Sequence, residues 1–376
     1  MIPVSAPVLG DEEMERVQEC LASGWISSAG DFIPEFEARW AEYCGRRHGI
    51  AVCNGTAALQ LAVSGLAIGP GDEIVLPTFT IVSCVLAVLY CGATPVLVDA
   101  DPETWCMNVE QLRERLTPRT RAIMAVHIYG HPVDMEPVTQ LAHDRGLYLI
   151  EDAAEAHGAQ YRSPADPNGD GWRRCGSFGD VSVFSFYANK PVTTGEGGML
   201  VTDDDDLAAK LRSLRNLAFD PGPRFVHSHL GFNFRFTNLQ AALGLGQLQR
   251  LKQTLARKRE IAAIYRDRLS DLPGVTLQIE RPWARSIYWM FGMLTENASC
   301  DAAALAAGLR EHGVETRPFF LGMHAQPVLR QRRLFAGEAY PVADRLRRQG
   351  LHLPSGAGLL DSEIAHVTEA VRGILG

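Results

Sequence analysis

"SFGDVSVFSFYANKPVTTGEGGMLVT", residues 177–202, sets one lysine, Lys190, between two apolar runs typical of buried strands. The chain's other lysines are Lys210, Lys252 and Lys258, and arginine carries most of its basic charge. Those three lie in helix-like segments, so we predict that they are solvated charges on helix surfaces. An ammonium beside apolar groups loses hydration, which lowers its pKa and yields a nucleophilic amine able to form a Schiff base. Position alone leaves open that Lys190 is an idle loop lysine.

The sequence around this segment predicts an α/β fold. From about residue 48, short apolar runs typical of strands alternate with helix-like segments. The strand-like runs are residues 49–53, 73–77, 94–99, 121–126, 147–152 and 181–186. The helix-like segments between them are residues 55–66, 80–91, 108–116 and 135–146. This alternation predicts a mostly parallel central sheet with helices on both faces.

The pattern changes near residue 239. Residues 239–269 predict one long amphipathic helix that is weakened at Gly244 and Gly246. Strand-like pieces follow it, together with helix-like segments at residues 301–312 and 362–374. We therefore predict a large domain of residues 1–245 and a smaller α+β C-terminal domain of residues 246–376.

Asp152 and the turn after residue 53 supply partners for a reactive lysine. Asp152 ends an apolar run, and ligands of parallel-sheet folds bind at the carboxyl ends of strands. A Schiff-base lysine with an aspartate on the pyridine nitrogen is the usual protein contribution to pyridoxal phosphate chemistry. Asn54, Gly55 and Thr56 stand between a strand and a helix, where N–H groups and the helix dipole favour an anion. A helix cap at Asp152 and a plain capped turn at Asn54 remain open as alternatives.

Composition and charge argue against several classes of protein. The formal net charge of −8 disfavours a uniformly basic face for nucleic acid. The uncharged run 81–98 contains Gly92 and Pro95, so it predicts a buried helix, a turn and a strand rather than a membrane span. The N-terminal sequence lacks a secretory signal pattern, and none of the eight cysteines forms a CxxC pair. We therefore expect a cytoplasmic protein with free thiols and no metal site.

Several motifs together resemble one known family. "NGTAALQLA" (54–62), "EDAAEAHGA" (151–159), the segment around Lys190, "GFNFRFTNLQAALGLGQL" (231–248) and "IYWMF" (287–291) match, in order, the DegT-type nucleotide-sugar aminotransferases. The resemblance covers nearly the whole chain. It implies fold type I of the pyridoxal-phosphate-dependent transferases, which is aspartate aminotransferase-like, with pyridoxal 5'-phosphate as cofactor. It also implies a homodimer with shared active sites.

The resemblance implies roles for the residues that match the motifs of the family. Lys190 is expected to form the Schiff base with the cofactor and to shuttle the proton. Asp152 is expected to pair with the pyridine nitrogen, and Glu155 to lie near the ring hydroxyl. Asn233 is expected to reach the phosphate from the partner subunit. The other phosphate contacts are expected from Gly55, Thr56, Ala57 and Ser185.

The resemblance also implies contacts with the substrate. Ser28, in "SGWISSAG" (23–30), matches a segment near the sugar-binding side. Arg317 and His324 match positions near the nucleotide-sugar cleft, where the planar fork of an arginine suits a diphosphate. A surface arginine and a packed histidine remain alternatives.

Two features depart from the family pattern. Ile81 stands where the family usually has an aromatic residue stacked on the cofactor ring, and an aliphatic side chain covers a ring without stacking in the same way. The segment 162–176 is longer than usual and predicts a surface loop. Its arginines, which either shape the substrate mouth or are solvated, are Arg162, Arg173 and Arg174.

Within the family, the likeness is greatest to members that aminate C4 of GDP-4-keto-6-deoxymannose, with L-glutamate as the amino donor. We therefore predict this transamination, in deoxyaminosugar biosynthesis. The alternative substrates are a dTDP- or UDP-linked 3- or 4-keto sugar or an aminocyclitol precursor. A sugar dehydratase is disfavoured because those members carry a histidine where this chain has Lys190. A non-catalytic regulatory paralogue is disfavoured by the intact Lys190 and Asp152, although Ile81 mildly favours it.

Overall fold

The computed structural model describes residues 1–163, 165, 171–219, 225–296 and 300–376. Its central sheet has seven strands: β1 (His48–Val52), β2 (Glu73–Pro77), β3 (Thr94–Val98), β4 (Thr120–Val126), β5 (Tyr148–Asp152), β8 (Val181–Ser185) and β9 (Gly198–Thr202). They lie side by side in the order β1-β9-β8-β5-β4-β2-β3. Strand β9 runs antiparallel to both of its neighbours, and the other adjacent pairs are parallel. The predicted mostly parallel sheet is confirmed.

Helices connect these strands and precede the C-terminal region. They are α1 (Asp11–Ser23), α2 (Phe32–Cys44), α3 (Gly55–Gly65), α4 (Val82–Tyr90), α5 (Leu112–Arg115), α6 (Met135–Arg145), α7 (Asp205–Arg215) and α8 (Asn238–Leu269). Short 3₁₀ turns lie at Val109–Gln111 and Ile128–Gly130. The strands bury apolar residues on both faces, as expected for a sheet that is covered by helices.

Helix α8 confirms the predicted long helix and explains its two glycines. Its first turn is capped by the Thr237 hydroxyl, which accepts a hydrogen bond from the backbone N–H of Gln240. A Cβ at Gly244 would lie 2.7 Å from the Phe36 ring, and one at Gly246 would lie 2.8 Å from Glu13. The glycines therefore weaken the helix locally but allow α1 and α2 to pack closely against it.

The C-terminal region contains a second, antiparallel sheet. Its strands are β10 (Val275–Leu277), β12 (Phe291–Thr295), β13 (Arg317–Pro318) and β14 (Gly350–Leu353), in the order β10-β12-β14-β13. Its helices are α9 (Ala302–Glu311), α10 (Pro327–Gln331), α11 (Pro341–Gln349) and α12 (Asp361–Leu375), and a 3₁₀ turn lies at Met323–Ala325. The sequence pattern predicted α9 and α12 but missed α10 and α11, which are short and begin at prolines.

The division into two domains remains a proposal. Helix α8 runs without interruption through residue 245, so a boundary there falls inside one continuous helix. A separate apolar cluster lies under the antiparallel sheet and includes Tyr265, Phe291 and Val371. This second core supports a C-terminal unit that begins within α8.

The segment 162–176 differs from the predicted loop where the structure describes it. Residues 164 and 166–170 lie outside the described residues. Strand β7 (Arg173–Arg174) pairs with β6 (Gln160–Tyr161), which also pairs with β11 (Ala284–Arg285). The guanidinium of Arg173 stacks on the Phe178 ring and that of Arg174 on the Tyr43 ring. Local aromatic partners, rather than a substrate, therefore hold these two arginines.

The prediction of a surface charge at Lys258 is wrong, because this lysine is buried. Lys210 and Lys252 are exposed as predicted, but Lys258 is only 3% exposed. Its Nζ donates hydrogen bonds to the carbonyl oxygens of Trp289 and Ser355, both at 2.9 Å. Side chains of adjacent residues in a helix point about 100° apart, so the arginines beside Lys258 in the sequence do not show which face of the helix Lys258 occupies.

No helix within the described residues is both long and apolar enough to cross a bilayer. All eight cysteines are free thiols, and five of them are buried.

His127, Glu151 and Cys175 lie close enough together to suggest metal ligation. Without a metal ion, burial raises the pKa of the Cys175 thiol well above its usual value.

The Glu151 carboxylate ties the end of β5 through hydrogen bonds to the residue after β4 and to the segment that leads into β8. It accepts them from the backbone N–H groups of Gly176 and Phe178, from the Ser182 hydroxyl and from the His127 ring. Burial alone would raise the pKa of Glu151, but these donors lower it to about 2. The network fixes the end of β5, which carries Asp152.

Replacing Glu151 by glutamine should therefore destabilise the fold. The pKa of Glu151 is depressed from 4.5 to about 2, so its contribution to stability is present above pH 4.5 and is lost as the pH falls towards 2. We expect Glu151→Gln to lower the free energy of unfolding at pH 7 by about 3 kcal/mol. Urea unfolding followed by circular dichroism at several pH values measures this. The exposed control Glu114→Gln should leave stability unchanged, and an equal acid sensitivity of Glu151→Gln and the parent would contradict the prediction.

Candidate active site

A cleft of about 670 Å³ opens at the carboxyl ends of the central parallel strands. Val126, Asp152 and Ser185, the last residues of β4, β5 and β8, all line it. The beginnings of α3 and α4 complete the wall on one side. This is the place where ligands of open α/β sheets bind.

Lys190 lies at the base of this cleft, and its side chain is 8% exposed. Its Nζ is 3.9 Å from the Glu155 carboxylate and 3.5 Å from the centre of the Trp289 ring. Burial lowers the pKa of Lys190, while Glu155 and Asp152 oppose that shift. The structure thus gives Lys190 the desolvated setting that makes an amine nucleophilic.

Glu155 faces Lys190 from the loop after β5. Its Oε2 accepts a 2.8 Å hydrogen bond from the backbone N–H of Tyr129. Burial raises the pKa of Glu155 to about 7, although Lys190 and the Tyr129 N–H act in the opposite direction. Burial therefore drives both members of the Lys190–Glu155 pair towards their uncharged forms.

Asp152 is fully buried at the end of β5. Its Oδ1 accepts the backbone N–H of Ala154 at 3.0 Å, and its Oδ2 accepts the Cys84 thiol at 3.2 Å. Burial raises the pKa of Asp152, and the two hydrogen bonds oppose this only in part. A cation at this carboxylate would lower its pKa further, and a protonated pyridine nitrogen is such a cation.

The first turn of α3 also lines the cleft. Asn54 caps the helix, since its Oδ1 accepts the backbone N–H of Ala57 at 2.8 Å. The hydroxyls of Thr56 and Ser83 are 2.7 Å apart. A Cβ at Gly55 would lie 2.8 Å from the Cβ of Ser185, so only glycine lets α3 begin this close to β8. N–H groups and hydroxyls at a helix N-terminus suit a phosphate.

The residues present fit pyridoxal phosphate. An acidic end at Asp152, a buried amine at Lys190 and an anion site at the start of α3 lie within one cleft. Within the described part of the chain, the buried Oδ1 of Asn189, which also lines the cleft, has no hydrogen-bond partner. A polar ligand in the cleft would satisfy that atom.

The structure brings most of the predicted site residues together. The cleft is lined by Lys190, Asp152, Glu155, Gly55, Thr56, Ala57, Ser185, Ile81 and Arg317. Ser28, His324 and Asn233 do not line it. Ser28 and Asn233 are exposed, and the Asn233 side chain accepts a 2.9 Å hydrogen bond from Arg235. The predicted role of Asn233 is to contact the phosphate bound by a partner subunit, so it stays a prediction.

His324 lies in a packed environment, which was the alternative to its predicted contact with the substrate. It is 6% exposed, its Nδ1 is 2.8 Å from the Thr78 hydroxyl, and its Nε2 is 3.1 Å from Asp344. Both ring nitrogens are therefore engaged within the protein, and a substrate contact by His324 stays a prediction.

Sequence reasoning missed four residues that shape the site: Trp289, Tyr129, Cys84 and Asn189. Trp289 lies in "IYWMF", which contributed to the resemblance but received no role. Tyr129 contacts Glu155 only through its backbone, so its residue type gives no signal. Asn189 directly precedes Lys190, and that adjacency is the only cue the sequence offers.

The type I fold, with a buried lysine and a strand-end aspartate that line one cleft, is typical of pyridoxal-phosphate-dependent transferases. The chain belongs to the DegT/DnrJ/EryC1/StrS aminotransferase family, whose model matches residues 7–372. It is a pyridoxal-phosphate-dependent sugar aminotransferase. The predicted family, fold type, cofactor and enzyme class are thereby confirmed.

Named relatives match over nearly their full length. A GDP-perosamine synthase of Caulobacter vibrioides is 43% identical, with 100% of this chain and 98% of the relative covered. A GDP-perosamine synthase of Escherichia coli O157:H7 is 40% identical over 99% of this chain and 98% of the relative. The crystal structure of S. venezuelae DesV in complex with a ketimine intermediate is 36% identical, with a TM-score of 0.88 over 96% of this chain and 94% of that one.

The contact between Gly55 and Ser185 makes cofactor binding testable. We expect Gly55→Ala to push α3 away from β8 and to raise the Kd for pyridoxal phosphate roughly tenfold, which matches the usual cost of overpacking. Absorbance titration of the cofactor-free enzyme measures the Kd. The control is Gly373→Ala, because a Cβ there meets nothing within 4 Å. Equal Kd values for Gly55→Ala and the parent would refute this geometry.

Proposed function

We propose that the protein transfers the amino group of L-glutamate to C4 of GDP-4-keto-6-deoxymannose and so produces GDP-perosamine. The observation that carries the proposal is the convergence of Lys190, Asp152 and Glu155 in one desolvated cleft beside the N-terminus of α3. The choice of sugar is supported by relatives named GDP-perosamine synthase, which are 38–43% identical over nearly the whole chain.

The chain's own residues divide the chemical work. Bound pyridoxal phosphate supplies a ring that accepts the electron pair left when a proton leaves the carbon beside the amine nitrogen. The Asp152 carboxylate would hold the proton on the ring nitrogen. Lys190, whose pKa is lowered by burial, would take the proton from the donor carbon and deliver it during the return step.

The start of α3 and the residues around it would anchor the cofactor at its other end. The backbone at Gly55 and the hydroxyls of Thr56 and Ser185 would bind the phosphate. Glu155, which is held by Tyr129, would face the ring hydroxyl. Phosphate and ring nitrogen would then be fixed independently, which orients the reactive carbon towards Lys190.

Arg317 supports a nucleotide substrate. It is exposed in strand β13 and lines the cleft together with Phe320. A guanidinium at the mouth of the cleft would pair with the diphosphate, and the neighbouring aromatic ring would provide apolar cover. Ser28 remains a proposed sugar contact from the exposed segment 23–30.

The proposal includes a homodimer in the cytoplasm. Large apolar side chains are exposed in the single chain, among them Trp25, Ile26, Tyr187 and Leu230. Ile81 and Tyr187 lie at the cleft itself, so a second copy that covers them would also narrow the active site. The eight free thiols suit a reducing compartment.

Loss of Lys190 should abolish turnover. We expect Lys190→Ala to reduce kcat by about a thousandfold or more, because nucleophile and proton carrier are lost together. Borohydride should attach the cofactor covalently to the parent protein at Lys190, which peptide mass spectrometry detects, and should fail to do so in the variant. Lys210→Ala, an exposed position that donates to the Gly65 carbonyl, is the matched control. An active Lys190→Ala variant would disprove the assignment.

A substrate panel tests the proposed sugar. GDP-, dTDP- and UDP-linked 3- and 4-keto sugars are each incubated with the enzyme and glutamate, and the products are identified by mass spectrometry and NMR. We expect the highest kcat/KM with GDP-4-keto-6-deoxymannose and an amine at C4 of the product. Preference for another nucleotide or for a 3-keto sugar would replace the proposed substrate while leaving the enzyme class intact.

A further inference from the structure

Trp289 makes the closest aromatic contact of Lys190. The Lys190 Nζ lies 3.5 Å from the centre of the Trp289 ring, well inside the range of a cation–π interaction. Trp289 is 6% exposed and lines the same cleft. None of the catalytic roles proposed for this site involves the Trp289 ring.

The polar groups of Trp289 are all engaged, which fixes its ring. The indole Nε1 donates to the carbonyl oxygen of Asn189 at 2.9 Å, directly before Lys190 in sequence. The backbone N–H donates to the Tyr129 carbonyl oxygen at 3.0 Å. The Trp289 carbonyl oxygen accepts a 2.9 Å hydrogen bond from Lys258 Nζ.

Lys258 reaches this carbonyl from the buried face of α8. Its Nζ bridges the carbonyl oxygens of Trp289 and Ser355, and no carboxylate among the described residues lies within salt-bridge distance. Burial lowers the pKa of Lys258 to about 7. A neutral amine has two N–H groups, and two carbonyl acceptors satisfy both. The lysine therefore joins α8, the segment that leads into β12 and the segment after β14 without an opposite charge.

We propose that Trp289 is a positioning residue that holds the Lys190 side chain in the cleft, and that the buried Lys258 fixes Trp289 in place. This inference rests on the proposed role of Lys190. Its physical basis is a chain of contacts that runs from Lys258 through the Trp289 backbone and ring to the Lys190 Nζ.

The contact matters most when Lys190 carries no covalent bond to the cofactor. The free side chain must then stay close to the reacting carbon while it holds a proton. Burial disfavours its ammonium form, and the charged or titratable groups that face it are Glu155, Asp152 and His157. The electron-rich face of Trp289 stabilises the ammonium in addition to the carboxylates and limits its movement.

Because the chain has only four lysines, the NMR signal of each one can be assigned and followed. The enzyme is labelled with [13Cε]lysine and loaded with pyridoxamine phosphate, so that Lys190 is free, and the 13Cε shift of each lysine is followed against pH by NMR. Trp289→Leu should lower the titration midpoint of Lys190 by about one pH unit, which is the size expected for a lost cation–π contact. Lys258→Met should lower it in the same direction.

Controls separate positioning from a general loss of structure. Lys252→Met, an exposed position on the same helix, should leave the Lys190 midpoint unchanged. Trp289→Phe keeps a ring and should retain most of the shift. In Trp289→Leu, adding Lys258→Met should have no further effect on Lys190. If Lys258→Met does not fold, Lys258→Gln, which keeps an amide donor, takes its place and should give a smaller effect.

Each outcome decides one part of the proposal. An unchanged Lys190 midpoint in Trp289→Leu overturns the role of Trp289. A shift in Trp289→Leu without one in either Lys258 variant overturns the role of Lys258. The measurement needs no sugar substrate, so a failure of the proposed GDP-sugar specificity would leave it unaffected. A failure of borohydride to attach the cofactor at Lys190 would instead remove the basis of the inference.

Discussion

The burial of one amine with two carboxylates is the constraint on which this site depends. Lys190, Glu155 and Asp152 occupy a cleft where each isolated charge would cost several kcal/mol to desolvate. The pair formed by strands β5 and β8 brings two of the contributing segments side by side, with Asp152 in register with Val183. Buried hydrogen bonds at Glu151 then fix the strand end that carries Asp152. A cofactor with a basic ring nitrogen and an anionic phosphate complements what the protein leaves uncompensated.

Tyr129 connects the two groups that flank Lys190. Its backbone lies in the left-handed region, with φ 53° and ψ 23°, which is unfavourable for a bulky residue by about 1–3 kcal/mol. That conformation directs its N–H to Glu155 and its carbonyl oxygen to the backbone N–H of Trp289. Its ring packs between Phe79, Phe319 and His352, and this packing offsets the strain. Backbone strain, aromatic packing and the environment of the lysine are thus parts of one arrangement.

The sequence predicted those features that depend on local pattern. Alternating apolar runs identified the parallel strands and the long helix, and residue type with order along the chain identified Lys190 and Asp152. The features that escaped prediction depend on contacts between distant segments. Lys258 and His324 have ordinary sequence neighbours, yet their partners, Ser355 and Thr78, lie 97 and 246 residues away. Tyr129 acts through its backbone, which no residue type reveals.

Ile81 is the point where the chain departs from its family, and the structure limits what that departure implies. Ile81 caps α4 at the edge of the cleft and is 41% exposed, so it can cover a ligand without stacking on it. The cleft is not short of aromatic surface, because Tyr187, Phe234, Trp289 and Phe320 line it from other segments. The groups that hold and move protons, Lys190, Asp152 and Glu155, come from other segments and do not depend on an aromatic side chain at position 81. A lost stacking contact therefore affects how tightly the cofactor is held. The lysine, its two carboxylates and the helix N-terminus keep the arrangement that transamination requires. The hypothesis of a non-catalytic protein thus loses the one feature that supported it.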